Sequence, residues 1–179
     1  MIISLLFISS VGRHTKEESK FLVPVRKYLN TVIPQLFDLA EDAEVSLSKP
    51  RIQIVAGYNT KATVSVAGMK LKVKVYTNPK GKCRLTSITS AERAMIGGYR
   101  FVNPSDIPEE SFSNMIALVS KDYSLTDSEK TLIAVRRQIV SGTNTHYIFE
   151  DADGTLHSST VYTNLKGDSS LTSYRKVVE

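Results

Sequence analysis

The sequence predicts an α+β protein made of two copies of one unit, each a helix followed by an antiparallel meander of about four strands. Three observations predict it. The first is a repeat. Residues 53–61 read QIVAGYNTK and residues 138–146 read QIVSGTNTH. Residues 75–88, VYTNPKGKCRLTSI, return at 161–174 as VYTNLKGDSSLTSY. The offsets are 85 and 86 residues, so two separated blocks recur in register with one residue inserted between them. That pattern marks a duplicated domain. The second observation is helical periodicity upstream of each first block. The third is a change to period two after it. The seam falls near 89–100, giving domains 1–90 and 91–179.

Taken in order, the first copy places Leu22, Val25, Leu29, Val32, Ile33 and Leu36 on one helical face, with Pro34 expected to kink or end the helix. Strands follow in RIQIV, TKATVSV, KLKVKVY and CRLTSI, joined by an AG turn and a TNPKG turn. The second copy opens a helix with Ser105 or Asp106 as N-cap and Pro108, Glu109 and Glu110 in the first turn. Phe112, Met115, Ile116, Val119 and Tyr123 form its apolar stripe. Strands follow at 131–140, 144–151, 155–162 and 169–178, with DADG and TNLKG as turns. The stripes are core.

Composition excludes several classes. Hydrophobic residues make up 41% and charged residues 23%, as in an ordinary globular domain. Cys83 is the single cysteine, so there is no intrachain disulfide, and it sits in a polar hairpin with no base nearby in sequence. His14, His146 and His157 lack metal-ligand spacing and read as surface or strand histidines. No cofactor or metal site is expected, and no nucleophile–base or paired-carboxylate constellation points to an enzyme. The net charge of +5 is uneven. Residues 1–90 hold 14 Lys+Arg against 6 Asp+Glu, and residues 91–179 hold 9 against 12. The lysines of KLKVKV alternate with apolar residues, as on the wet face of a strand. A basic half can meet nucleic acid or another acidic partner, but no nucleic-acid-binding motif accompanies it, so no nucleic acid is expected. The apolar start, MIISLLFISS, is too short to span a membrane. It reads either as a short signal-peptide core without a basic leader, cleaved after Ser10, or as an apolar segment that stays on. Cleavage implies a secreted or vesicular (endomembrane) protein; retention implies a cytoplasmic one.

Both QIV runs lie where two strands join. Apolar residues beside a hairpin tip are unusual, because polar residues normally occupy turns. A glycine there frees the backbone to bend or to approach another surface closely. These residues resemble the cystatin family, inhibitors of papain-like cysteine proteases, whose first inhibitory hairpin carries Gln-x-Val-x-Gly. The match is Gln53, Ile54, Val55, Ala56 and Gly57 in the first copy, and Gln138, Ile139, Val140, Ser141 and Gly142 in the second. The family also has a trunk glycine about 40 residues upstream. Gly97 and Gly98 precede Gln138 by 41 and 40 residues, and Gly12 precedes Gln53 by 41. The family's second hairpin, often Pro-Trp, corresponds to Asn78-Pro79 and Asn164-Leu165; the chain has no tryptophan. The second copy is the closer match.

The resemblance implies two cystatin-like domains and a reversible, tight-binding inhibitor. The glycine trunk and both hairpins would enter the cleft of a cathepsin-type protease without being cleaved. Leu165 would replace part of the missing aromatic surface, and Pro79 less of it. The alternatives are a non-inhibitory cystatin-fold binding module and an inhibitor of another protease class, such as a metallocarboxypeptidase.

Overall fold

A computed structural model of the chain describes residues 7–8, 16–92 and 97–178. Two compact units divide the chain, one of residues 7–8, 16–34 and 38–92 and the other of residues 35–37 and 97–178. Each unit holds one helix and one antiparallel sheet. No helix among the described residues is long and apolar enough to cross a membrane.

In the first unit the order is β1 (Phe7–Ile8), α1 (Lys16–Leu36), β2 (Ser46–Val55), β3 (Gly57–Val66), β4 (Met69–Thr77) and β5 (Cys83–Ser90). The strands lie in that same order across the sheet. The stripe on α1 behaves as its spacing predicts: Leu22, Val25, Leu29, Val32, Ile33 and Leu36 are all buried. Val64, Val66, Leu71, Val73 and Val75, on alternating positions of β3 and β4, and Leu85 and Ile88 of β5 are buried as well. Tyr28 on α1 accepts a hydrogen bond from the Leu85 amide at 3.0 Å, tying the helix to β5. Pro34 sits two residues before the helix end. Termination follows at Asp38, whose φ of 52° is left-handed. A second proline, Pro24, lies inside the same helix, which continues through it.

The second unit runs β6 (Arg100–Val102), a 3-10 turn (Pro104–Asp106), α2 (Glu109–Asp122), β7 (Lys130–Val140), β8 (Gly142–Asp151), β9 (Leu156–Thr163) and β10 (Ser169–Lys176). Its sheet order is β10-β9-β8-β7-β6. Met115 and Val119 of α2 pack with Val135, Tyr147, Phe149 and Val161, and Phe112, Ile116 and Leu118 close around them.

Four expectations need correction. Tyr123, expected in the core stripe of α2, is instead the extended C-cap of that helix and is 44% exposed. Each sheet has five strands rather than about four, because a short strand before the helix joins the edge. Those strands, of two and three residues, are too brief to show a period. Next, β2 begins at Ser46 rather than Arg51. Pro50 looks like a strand breaker, but a register shift between Ser48 and Arg51 and a positive φ at Lys49 absorb it. Finally, α2 starts after Pro108, and neither Ser105 nor Asp106 caps it. A residue before proline avoids the helical region, and Ile107 is extended at φ −88° and ψ 119°. Ser105 and Asp106 instead belong to the 3-10 turn, which Asn103 caps by accepting from the Ser105 amide.

Candidate functional site

In the second unit the register brings three separate segments to one end of the sheet. The β7–β8 hairpin turns at Ser141, with Val140 opposite Gly142. Thr143 pairs with Thr163, so the β9–β10 turn that begins at Asn164 lies beside that hairpin. Arg100 pairs with Arg137, so Gly97 and Gly98 lie at the same end. The Gln138 side chain links two of these segments: Nε2 donates to the Gly97 carbonyl at 2.9 Å, and Oε1 accepts from Asn144 Nδ2 at 3.3 Å. Apolar side chains project from the tips. Ile139 is 72% exposed, Val140 46% and Leu165 84%.

The glycine of the motif answers to the sheet itself. Gly142 has a φ of +123°, and a Cβ there would meet the Thr163 carbonyl oxygen at 2.5 Å and the Tyr162 ring at 2.8 Å. The hydroxyl of Tyr162 donates to the Ser141 carbonyl. The first repeated block therefore interlocks with the second: the glycine of QIVSG sits against the Tyr-Thr of VYTN. The asparagine that follows builds its own turn. Asn164 Oδ1 accepts from the amides of Lys166 at 2.8 Å and Asp168 at 2.9 Å, and Gly167 supplies the positive φ.

The first unit repeats this construction. A Cβ on Gly57 would lie 2.3 Å from the Thr77 carbonyl oxygen. Tyr76 donates to the Ala56 carbonyl at 2.5 Å. Asn78 Oδ1 accepts from the amides of Lys80 at 2.9 Å and Lys82 at 3.0 Å, and Pro79 is exposed at the tip. Gln53, Ile54, Val55 and Ala56 therefore occupy the same kind of hairpin, but Ile54 and Val55 are only 36% and 39% exposed. Ile54 stands opposite Tyr58, whose hydroxyl donates to the Phe21 carbonyl at 3.0 Å and whose ring meets Phe21 edge-on. In the second unit the partner of Ile139 is Thr143. There a cleft of about 370 Å³ remains open, lined by Ile139, Thr143, Met115, Leu118 and Tyr147.

Gly12 lies outside the described residues.

A polar cluster lies at the far end of β8, away from the hairpins. Buried Asp151 approaches Lys130 Nζ and His157 Nε2, each at 3.2 Å, and accepts from Thr126 Oγ1 at 2.9 Å. Lys130 makes an ion-pair contact and His157, charged only when protonated, a close approach; neither is aligned as a hydrogen bond to Asp151 Oδ1 or from His157 Nε2. His157 Nδ1 meets the Tyr174 hydroxyl at 2.9 Å, and its ring stacks on Phe149. Burial pushes Asp151 up, but Thr126, Lys130 and His157 outweigh it and hold the carboxyl below its usual range. Burial pushes His157 down, only partly opposed by Asp151. His146 and His157 are thus strand residues but buried rather than surface ones. Cys83 is buried beside Thr77. Among the described residues no group of three or more His, Cys, Asp or Glu is placed to hold a metal ion.

Sequence reasoning missed Tyr76 and Tyr162, although both stand inside the second repeated block. It also missed the contrast between Tyr58 and Thr143. No protein-family model matches the chain, and no curated protein matches it.

Proposed function

We propose that this chain is a cystatin-type inhibitor of papain-like cysteine proteases, acting through the hairpin end of its units, the second unit above all. The observation that carries the reading is the set of exposed apolar side chains, Ile139, Val140 and Leu165, at the same end of the sheet where Gln138 holds the Gly97 carbonyl. Such side chains at hairpin tips are suited to a desolvated contact. Gly97, with a φ of +77° and open space around its Cβ position, would let a trunk lie close to a cleft wall. The inhibitor would act by occupying the cleft, so none of its groups takes part in bond making. Leu165 supplies apolar surface where related inhibitors carry tryptophan, and Pro79 supplies less. The second unit is therefore the tighter one, in a secreted or vesicular setting if residues 1–10 are removed.

The test is titration of a papain-type enzyme with the full chain. Stoichiometric, reversible loss of activity at or below micromolar inhibitor is expected. Full activity at that concentration would end the reading.

A second reading has its own support. Gly57 and Gly142 are both demanded by backbone packing, so the motif can persist without any protease partner. A non-inhibitory binding module, or an inhibitor of a metallocarboxypeptidase, then becomes the function. Parallel assays against papain and a carboxypeptidase separate the three outcomes.

A further inference from the structure

We propose that the outer face of the first unit's sheet is a binding site for a linear sulfated polysaccharide. This face lies opposite the one that packs on α1. It forms an open groove of about 620 Å³ whose lining includes Lys49, Arg51, Lys61, Lys72 and Lys74. Among the described residues none of these five cations pairs with a carboxylate. The local sequence explains why: residues 51–90 hold eight Lys+Arg and no Asp or Glu.

The register turns this composition into an array. Arg51 is directly opposite Lys61, and Lys61 is directly opposite Lys74. Three cations thus stand in one row across three strands, ~10 Å from first to last at the usual strand spacing. Lys72, two residues along β4 from Lys74, adds a second row ~7 Å away. Like charges directly opposite each other destabilise a sheet, so folding disfavours this row. Nor does the architecture require it. By the repeat offsets, the positions aligned with Lys49, Arg51, Lys61, Lys72 and Lys74 are Ala134, Arg136, His146, Ser158 and Thr160. A locally unfavourable feature kept in one copy and absent from the other is where a ligand is expected.

The chemistry of the face selects among polyanions. The groove lining contains no aromatic ring, so bases of a single strand would find no stacking platform. A sheet face offers no main-chain edge, which an extended acidic peptide would use for affinity. What it offers is fixed cations beside the hydroxyls of Thr63, Ser87 and Thr89, suited to sulfate groups on a sugar chain carrying its own hydroxyls.

The test is calorimetric titration of the full chain with a heparin octasaccharide, with hyaluronan and an oligo-dT of equal charge alongside, from 0.05 to 0.3 M salt. Heparin is expected to bind best. Changing Lys61, Lys72 and Lys74 together to serine should weaken it at least tenfold. The slope of log affinity against log salt should fall by about 2 to 3, as for three lost ionic contacts. The same three positions changed to arginine should keep both affinity and fold. Three serines at Lys20, Arg26 and Lys27 on α1 should change affinity less than twofold, since only overall charge is altered. The proposal is overturned if heparin does not bind at 0.15 M salt, if the α1 variant weakens binding as much as the sheet variant, or if oligo-dT binds more tightly than heparin.

Discussion

The hairpin ends of the two units carry nearly the same residues and present different surfaces. In the first unit Tyr58 stands beside Ile54 and is held by Phe21; in the second, Thr143 stands beside Ile139 and leaves it open. Exposure follows: 36% for Ile54 against 72% for Ile139. The helices contribute as well. α1 has 21 residues and α2 has 14, and both end at a similar distance before their QIV run. The seven extra residues, about two turns, therefore lie at the N-terminal end of α1 and bring Phe21 to the hairpin end. A repeated motif is thus not a repeated surface. The other ends of the sheets differ in kind. The register that pairs Phe149 with His157 pairs Val64 with Leu71, and Asp151 aligns with Val66. One unit closes there with aliphatic packing, the other with a buried ionic cluster.

The largest expected effect tests what the two units share. Gly57→Ala and Gly142→Ala should each lose about 3 kcal/mol or more, since a Cβ would meet backbone oxygen at a positive φ. Gly167→Ala, with open space around it, should lose only about 1 kcal/mol. Denaturant midpoints on the full chain measure both. A loss near 1 kcal/mol at Gly142 would mean that the motif glycine is not held by packing.

Next comes the contrast between ionic and aliphatic ends. Asp151→Asn should cost about 3 kcal/mol, because it leaves the Lys130 ammonium buried without its anion. Acid should discriminate between the units in the same way. A carboxylate held below its ordinary value gives stability that is present above about pH 4 and lost as pH falls through the lower folded value. A histidine held below its ordinary value takes up a proton more readily when unfolded, so stability also declines as pH falls below about 6.5. Amide exchange, corrected for its intrinsic pH dependence, should therefore quicken in β8 and β9 on acidification before it does in β3 and β4. Equal responses in the two pairs of strands would contradict the assignment.

The proposed inhibition separates the tips. Ile139→Asp with Leu165→Asp should weaken binding to a papain-type enzyme by about 2 kcal/mol, roughly thirtyfold. Ile54→Asp should weaken it less than about fivefold, because that side chain is half covered. The reverse order would make the first unit the inhibitory one. The smallest effect is expected from Thr143→Tyr, which rebuilds the Tyr58 arrangement opposite Ile139. Cross-strand packing of an aromatic on a β-branched residue should add about 0.5 kcal/mol of stability, seen as a higher melting temperature. Covering Ile139 should also raise the inhibition constant about twofold.

Much of the fold was legible in the residues, for local reasons. The helix stripes and the alternation in KLKVKV are short-range periodicities, and the TNPKG and TNLKG turns are built by their own asparagine and glycine. The misses were also local. Pro50 hid the start of β2, Pro108 moved the start of α2, and the two edge strands were too short to show a pattern. The hairpins were placed correctly, but their surfaces were not, because Tyr58 and Thr143 differ only in what they cover.

The sequence by itself determined that there are two similar units, that each QIV run is a hairpin, and that residues 51–90 are purely basic. These follow from repetition, periodicity and composition, which need no long-range contact. Only the tertiary structure decided that the motif glycines are wedged against the next strand, that Tyr76 and Tyr162 lock the hairpins, and that Arg51, Lys61 and Lys74 form one row. Each of these depends on strand register. Register joins residues far apart in the chain, so it cannot be read from either partner alone.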